Sequence, residues 1–509
     1  MGGPGGQEGT AAGGVGAPAW RRSLGGGPRR VLSPTWPVSA RWAEQVTEPP
    51  APVDLAPVDL VVTGAELVAT MDRGREVSGG WVAIDAGFVV GVGASGSEPP
   101  ARRALSAAGC LVTPGFVNTH HHLYQNLTRA FTPAVRAGLF DWLRALYPRW
   151  AGIDEEAVYL STFVGLAELA LGGCTTTSDH LYVHPAGAGD LLSAEITAAR
   201  EIGLRFHPTR GSMSVSEKDG GLPPDQVCED EETILAASEA AVTAHHDRSP
   251  GAMVRVALAP CSPFSVSREL MTATAELAER LDVRLHTHLA EDIDEDAYCL
   301  ERYGCRPVEF VEEVGWLSDR AWVAHCVHPN PAEIELLGRA GVGVAHCPSS
   351  NLLLGAGLAP VAELTQAGAP VGLGCDGSSS ADSASLWLEA RTAMLLARYR
   401  SGAASTSARQ VLELATLGGA ACLGRRGELG VLRPGAVGDL VCWRLDGPLF
   451  AGALTDPVEA LLRCGPARAY HTVVAGETVV EQGAIVNRAL EDRLVRHRAV
   501  AARLQGLDQ

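Results

Sequence analysis

The chain has 509 residues, of which 46% are hydrophobic and 20% are charged, a balance that is typical of a soluble globular protein. Its formal net charge of −18 argues against a nucleic-acid partner, because binding to a phosphate backbone needs clustered Lys and Arg. It has no run of about 18 uninterrupted apolar residues that would span a membrane, and its 12 cysteines include no CxxC pair, which favours reduced thiols in the cytoplasm.

The two flanks of the chain differ from its centre. Residues 1–55 are rich in Gly, Pro, Ala and Arg and contain no apolar signal segment, so we interpret them as disordered or as an over-long start of the reading frame. "VDLVVTGAELVAT" and, much later, "HTVVAGETVVEQGAIV" alternate in the manner of antiparallel strands. We expect residues 56–112 and 425–490 to form one small β-sandwich domain, and residues 491–509 to form a C-terminal helix or tail.

Between the flanks, in residues 113–424, short apolar runs alternate with helical patterns. The candidate strands are 112–120, 173–180, 204–210, 253–261, 283–290, 321–327, 342–347 and 370–376. Eight strand–helix units are what an α/β protein with a (β/α)8 TIM barrel requires. A doubly wound open sheet is the alternative, but no GxGxxG motif follows the first strand.

Side chains that can bind a ligand recur where these strands end, and this is where a barrel places its reactive groups. They are His120, His122, Asp179, His180, Arg210, His288, His325, His346 and Asp376. Because side chains alternate along a strand, His120 and His122 share one face and His121 points to the other. Two imidazoles from one strand suit a tetrahedral zinc-type site with further ligands from other strands, although spacing alone does not exclude His121.

Two carboxylates extend this pattern. Glu291 follows His288 by three residues in "HTHLAE", and a carboxylate beside an activated water can carry a proton to a leaving nitrogen. Asp376 ends a strand in "GLGCDG" and is a candidate ligand and general base. Taken alone, an Asp-Gly pair signals a turn more often than a site.

The segments "PGFVNTHHHLYQNLTRA", "HTHLAE", "AHCVH", "HCPSSN" and "GLGCDG" occur in this order and resemble the amidohydrolase superfamily, specifically its mononuclear-zinc deaminases and aminohydrolases. The resemblance covers about residues 58–490 and implies a barrel with a β-sandwich built from both flanks. It implies that the zinc ligands are His120, His122, His288 and Asp376. It further implies that Glu291 shuttles protons and that His325 polarises the substrate.

One metal per subunit is expected. Many binuclear members of the superfamily bridge two metals with a carboxylated lysine on the fourth strand, whereas the only lysine of this chain, Lys218, lies in a predicted loop. Zinc is the expected ion, and Fe²⁺ or Mn²⁺ can occupy the same ligands. A different class of zinc deaminase carries H-x-E and P-C-x-x-C motifs, and neither occurs here.

At the level of the subgroup, "HHHLYQNLTRAF", "LFDWLRALYPRWAGI" and "HPTRGSMSVSEKDGGLPPD" resemble deaminases that convert 8-oxoguanine to urate and ammonia. In such a reaction Asp376 takes a proton from the attacking water, and Glu291 protonates a ring nitrogen and then the leaving ammonia. The residues expected to contact the substrate are Gln125, Trp142, Arg210 and His180. The alternative interpretations are an ion pair for Arg210 and a core position for Trp142.

Other functions remain open at this point. One alternative is an aminohydrolase or chlorohydrolase of an s-triazine, or a deaminase of guanine, isoguanine or cytosine. Another is a non-catalytic barrel kept for binding, which is disfavoured because every expected ligand and Glu291 are present. The expected partners are a small heterocycle and water, with no nucleic acid and no membrane, and the resemblance favours a homo-oligomer.

Overall fold

The computed structural model describes residues 1–2 and 57–507. Residues 3–55, to which the prediction of disorder or mis-annotation applies, lie outside this range. The strands are β1 (Val58–Ala69), β2 (Glu76–Asp85), β3 (Phe88–Ala94), β4 (Ala101–Ser106), β5 (Cys110–Pro114), β6 (Phe116–Asn118), β7 (Cys174–Leu181), β8 (Arg205–Ser212), β9 (Ala257–Pro260), β10 (Leu285–Leu289), β11 (Ala321–His325), β12 (Gly343–His346), β13 (Val371–Leu373), β14 (Leu440–Arg444), β15 (Ala469–Val474), β16 (Glu477–Glu481) and β17 (Ala484–Ile485).

The helices lie mainly between the barrel strands. They are α1 (Leu139–Trp150), α2 (Glu155–Leu171), α3 (Leu191–Ile202), α4 (Glu231–His245), α5 (Arg268–Leu281), α6 (Ile293–Tyr303), α7 (Pro307–Glu313), α8 (Pro331–Ala340), α9 (Pro348–Leu353), α10 (Val361–Ala367), α11 (Leu386–Ser401), α12 (Ala408–Glu413), α13 (Gly419–Cys422), α14 (Pro457–Arg463) and α15 (Leu490–Gln505). Asp, Ser or Asn side chains accept hydrogen bonds from the first turn of several of these helices, as Asp154 does for α2 and Ser267 for α5.

Eight parallel strands close into a barrel in the order β10-β11-β12-β13-β6-β7-β8-β9. The pairing of Leu373 with Asn118 joins β13 to β6 and completes the ring. Every residue of these strands is buried, as expected for parallel strands that are covered by helices. The predicted (β/α)8 barrel is confirmed, with its strands in the predicted order.

The first predicted strand, 112–120, is divided in two by Gly115. Residues up to Pro114 form β5, which pairs with β14 outside the barrel, whereas β6 begins at Phe116. A Cβ atom on Gly115 would lie only 2.0 Å from Thr175 Oγ1, so a larger residue does not fit at this break. Pro114 and Gly115 form a turn signal at this break, and the predicted strand ran through it.

The flanking strands form a nine-stranded sheet in the order β17-β16-β15-β14-β5-β1-β2-β3, with β4 paired to β1. The first five strands precede the barrel and the last four follow it, so both flanks build one β domain. The antiparallel pairing of β14 with β5 joins the two flanks. The helix α15 then returns to the barrel beyond this sheet.

Helix α15 contacts the short 3-10 turn Leu123–Thr128 that follows His122. His497 Nε2 lies 2.7 Å from Asn126 Oδ1, and the Gln505 amide donates to the Leu127 carbonyl at 2.8 Å. The end of the chain thus supports the segment that leaves the first barrel strand.

The thiols are largely interior groups. All 12 cysteines lie in the described residues and are free, and nine of them are buried. Burial raises the pKa of Cys174 to about 12, so this thiol stays protonated at neutral pH.

Within residues 57–507, no helix is long and apolar enough to cross a membrane.

A buried ion pair connects the barrel to the flanking sheet. The Arg205 guanidinium, on β8, donates to both carboxylate oxygens of Asp439 at 3.1 and 3.0 Å. The same carboxylate accepts the Ala475 amide at 2.8 Å, and Arg205 also donates to the Ala252 carbonyl at 3.0 Å. Removing one partner would therefore leave a charge in the interior without its counter-charge.

We expect Asp439→Ala to lower the free energy of unfolding by roughly 3–5 kcal/mol, because it leaves the Arg205 guanidinium buried and unpaired. Urea-induced unfolding measures this loss. As a control, Glu239→Ala removes the partner of Arg280 from an exposed pair and should cost about 1 kcal/mol or less. Equal losses in the two variants would contradict the account of the Arg205–Asp439 pair.

Candidate active site

The barrel brings together the six residues that the sequence assigns to metal binding and catalysis. His120 and His122 follow β6, His288 lies on β10 and His325 ends β11. Asp376 follows β13, and Glu291 follows β10 by two residues. All six side chains are buried at the carboxyl-terminal end of the barrel. Their assigned roles remain predictions, whereas their proximity is a feature of the fold.

Backbone carbonyls determine which nitrogen of His122 and of His288 carries the proton. His122 Nδ1 lies 2.8 Å from the His180 carbonyl, and His288 Nδ1 lies 2.6 Å from the Cys261 carbonyl. A carbonyl oxygen can only accept, so both Nδ1 atoms are protonated. Burial lowers the pKa of His288 well below its usual range, so this ring is neutral and its Nε2 carries a lone pair.

His120 reaches the same state through a neighbouring ring. His286 Nδ1 donates to the Trp322 carbonyl at 2.9 Å, which leaves His286 Nε2 as an acceptor for His120 Nδ1 at 2.8 Å. Burial lowers the pKa of His120 well below its usual range. His120 Nε2 therefore carries a lone pair, and within residues 57–507 this buried atom has no hydrogen-bond partner.

The Nε2 atoms of these rings converge. His122 Nε2 and His288 Nε2 lie 3.0 Å apart, and Asp376 Oδ1 lies 3.4 Å from His120 Nε2 and 3.3 Å from His122 Nε2. Two facing lone pairs repel each other unless a cation lies between them. Ligand atoms at about 2.0–2.1 Å from a tetrahedral zinc ion are about 3.3 Å apart, so these three spacings suit zinc. Asp376 groups with His120 and His325, and His288 groups with His120, His122 and His180, each set with its ligand atoms within 4.8 Å of one another.

His180 lies beside these ligands rather than on the wall of the cavity described below. Its ring stacks on His288 with the centroids 4.9 Å apart, and its Nε2 lies 3.0 Å from the Ala259 carbonyl. Its ring joins His120, His122 and His288 in a group whose ligand atoms lie within 4.8 Å of one another. The predicted contact of His180 with substrate thus remains a prediction, and its position also suits support of the metal ligands.

Glu291 and His325 face each other across the site. His325 Nε2 lies 3.6 Å from Glu291 Oε2 and 4.0 Å from Asp376 Oδ2, and its Nδ1 lies 2.9 Å from Asn351 Oδ1. Burial raises the pKa of Glu291 well above its usual range, and the nearby negative charge of Asp376 adds to this effect. Glu291 can therefore hold a proton at neutral pH, as a general acid must.

The backbone is strained where these side chains leave the barrel. Ala290, His325, Cys326 and Asp376 have φ values of 50°, 69°, 48° and 57°, in the left-handed region. Such conformations cost non-glycine residues about 1–3 kcal/mol each and concentrate at functional sites. The turns at the ends of β10, β11 and β13 thus direct the side chains toward a common centre.

A cavity opens above this centre. Its walls are formed by His122, Gln125, Leu139, Trp142, Leu143, Tyr147, Tyr182, Cys261, Phe264, His288, Glu291, His325, Leu354 and Asp376. Gln125 and Trp142 thus both line this cavity, and the Trp142 indole donates to the Ser379 carbonyl at 3.0 Å.

Arg210 is placed differently from Gln125 and Trp142. Its guanidinium donates to both carboxylate oxygens of Glu229 at 2.7 and 2.9 Å, and Arg210 is not among the residues that line the cavity. This arrangement agrees with the alternative interpretation of Arg210 as an ion-pair residue. Its contact with a substrate remains a prediction.

Sequence reasoning did not identify several aromatic residues of the cavity wall, among them Tyr147, Tyr182 and Phe264. Tyr182 follows His180 by two residues, and Cys261 directly follows β9, so the strand-end rule could have found both. Tyr147 lies on helix α1, and Phe264 lies in a loop. The strand-end rule does not identify cavity residues at such positions.

Comparisons with known proteins agree with this geometry. Residues 111–479 match the family model described as the amidohydrolase family. The chain is 48% identical to the 8-oxoguanine deaminase of Pseudomonas aeruginosa, over 85% of this chain and 96% of that protein. The structure of a zinc complex of atrazine chlorohydrolase from Arthrobacter aurescens superposes with a TM-score of 0.84 at 35% identity, and the match covers 87% of this chain and all of that one. A zinc-bound adenosine deaminase from Xanthomonas campestris gives a TM-score of 0.80 at 25% identity, covering 88% and 99% of the two chains.

The hydrogen bond from His120 to His286 generates a prediction about metal affinity. We expect His286→Gln to weaken zinc binding about 10- to 100-fold, because the ring that holds the His120 proton on Nδ1 is lost. Competition with a zinc-binding dye measures the affinity without recourse to catalysis.

His207→Gln is the matched control, because the His207 ring also packs near Trp322, at 5.6 Å. Among the described residues, His207 forms no hydrogen bond to His120, His122 or His288. An equal loss of zinc affinity in both variants would show that the effect comes from packing around Trp322.

Proposed function

Because the chain belongs to the amidohydrolase family, we propose that it is a zinc-dependent deaminase that hydrolyses 8-oxoguanine to urate and ammonia. The observation that carries this proposal is the convergence of three imidazole Nε2 atoms and Asp376 beneath a cavity that also contains Glu291. The similarity to a known 8-oxoguanine deaminase over nearly the whole of that enzyme supports the choice of substrate.

The proposed metal ligands are His120, His122, His288 and Asp376. When bound there, a zinc ion supplies Lewis acidity that makes a water molecule a good nucleophile near neutral pH. Fe²⁺ or Mn²⁺ could occupy the same nitrogen and oxygen ligands.

The side chains of this chain move the protons. Asp376 is placed to accept a proton from the attacking water, and the Ser380 hydroxyl, which donates to Asp376 Oδ2 at 3.0 Å, holds this carboxylate in position. Glu291, kept protonated by burial, can deliver its proton to a ring nitrogen and then to the leaving ammonia. Two groups with different proton affinities thus serve the acid and the base steps.

His325 has a more specific requirement. A neutral ring that donates from Nδ1 to Asn351 presents only a lone pair at Nε2. To donate a hydrogen bond to negative charge on the substrate, His325 must carry a proton on Nε2.

The cavity suits a flat heterocycle. Trp142, Tyr147, Tyr182 and Phe264 supply aromatic wall surface, and Gln125 supplies a carboxamide. Apolar walls with few polar groups are the usual composition of a small-molecule site, in which the polar groups fix orientation. We assign Gln125 and Trp142 to substrate binding on this basis.

The remaining features of the proposal concern the cellular form of the protein. It comprises the barrel (113–424) and a β domain from residues 56–112 and 425–490, acts in the cytoplasm as a homo-oligomer, and has no nucleic-acid partner. The net charge of −18 supports the last point, because a phosphate backbone would be repelled.

A second candidate function is the hydrolysis of an s-triazine, which the structural similarity to an atrazine chlorohydrolase favours. Triazines and purines are both flat, nitrogen-rich rings, and the same metal, acid and base would serve either. Only the groups on the cavity wall would distinguish the two substrates, so the question is decided by assay.

We expect the zinc-loaded protein to release ammonia from 8-oxoguanine faster than from guanine, isoguanine, cytosine or an amino-triazine. Glu291→Gln should lower kcat by about 10²- to 10⁴-fold, because it removes the proton donor. A coupled ammonia assay measures both quantities, with the exposed Glu239→Gln as the matched control.

If the protein deaminates another heterocycle of the panel but not 8-oxoguanine, the proposed mechanism stands and the substrate assignment is wrong. Inactivity on every compound in the panel, with zinc bound, would favour a non-catalytic protein.

A further inference from the structure

Gly377 directly follows the proposed metal ligand Asp376 and faces the side chain of Gln125. A Cβ atom on Gly377 would lie 1.8 Å from Gln125 Oε1, 2.2 Å from Cδ and 2.9 Å from Nε2. All three atoms nearest to that position thus belong to one carboxamide. Gly377 is not among the glycines with positive φ, so space rather than backbone conformation requires a glycine here.

The main chain of Gln125 cannot easily yield to an added methyl group. Its N–H donates to the His122 carbonyl at 3.0 Å, and its own carbonyl accepts the Ser379 hydroxyl at 2.8 Å. The carbonyl also accepts the Thr128 hydroxyl at 3.2 Å. With the backbone fixed on both sides, a Cβ atom at position 377 would displace the carboxamide itself.

That carboxamide has an unused acceptor. Gln125 is 1% exposed and lines the cavity, and Gln125 Oε1 has no hydrogen-bond partner in the part of the chain that the structure describes. Buried acceptors are almost always paired in folded proteins, so an unpaired one beside a cavity is well placed for a ligand N–H. A carboxamide offers an acceptor next to a donor, which matches a heterocycle edge with an N–H next to an acceptor.

We propose that Gly377 determines substrate specificity by leaving room for the Gln125 carboxamide, which pairs with a heterocycle edge that carries a ring N–H beside a carbonyl oxygen or ring nitrogen. Gly377 acts through Gln125 and is a positioning residue. This inference rests on the proposed deaminase function, because it identifies the substrate edge that the same site binds.

A double-mutant cycle tests the inference. The zinc-loaded wild type, Gly377→Ala, Gln125→Ala and the double variant are compared by kcat and KM for 8-oxoguanine. Each single substitution is expected to lower kcat/KM about 10- to 100-fold, because a substrate N–H loses its partner. The double variant should be no worse than Gln125→Ala, since truncation of Gln125 removes the three atoms nearest to the new methyl group.

The matched control is Gly447→Ala, because a Cβ atom on Gly447 meets nothing within 4 Å. This variant should retain wild-type kinetics. Losses that multiply in the double variant, or unchanged kinetics of Gly377→Ala, would overturn the inference. Loss of zinc from Gly377→Ala, measured by metal analysis, would also overturn it, because the effect would then arise at Asp376.

A crystal structure of Gly377→Ala separates this inference from the proposed function. It should show the Gln125 carboxamide displaced and Asp376 unmoved, whatever the substrate of the enzyme is. An unmoved Gln125 would overturn the inference even in an active deaminase. A displaced Gln125 in a protein whose wild type deaminates no heterocycle would overturn the deaminase function and leave the packing constraint intact.

Discussion

The structure depends on the placement of three imidazole protons. The carbonyls of His180 and Cys261, and the His286 ring, hold these protons on Nδ1 of His122, His288 and His120. The opposite nitrogens, Nε2, converge, and those of His120 and His122 lie 3.4 and 3.3 Å from Asp376 Oδ1. An arrangement of lone pairs at 3.0 Å is unfavourable in an apolar interior, and a divalent cation converts it into a binding site. The folded barrel thus prepares the metal site before any substrate binds.

The surrounding fold keeps these groups fixed. The carbonyl that orients His286 belongs to Trp322 on the adjacent strand β11. The pairing of β10 with β11 therefore determines, through the His286 ring, which nitrogen of His120 carries the proton. Residues in the left-handed region turn the chain after β10, β11 and β13, and stability elsewhere offsets their cost. The Arg205–Asp439 pair and helix α15 attach the β domain and the C-terminus to the same barrel.

Much of this arrangement follows from the sequence. Short apolar runs separated by helical patterns predict the barrel, and alternation along a strand predicts that His120 and His122 share a face. The sequence does not show which groups far apart in the chain form hydrogen bonds or ion pairs with one another. Arg210 finds Glu229 in a neighbouring loop, and His180 turns toward Ala259, although both end predicted strands. The resemblance to a family supplied the ligand set, whereas the role of His286 in orienting His120 became visible only from interatomic distances.

The most direct measurement is anomalous X-ray diffraction at the zinc edge from crystals of the zinc-loaded protein. The account predicts one anomalous peak per chain, bonded to Nε2 of His120, His122 and His288 and to a carboxylate oxygen of Asp376. Coordination through Nδ1 of any of these histidines, or a peak at a different cluster, would contradict the assignment of the three protons and the site built on it.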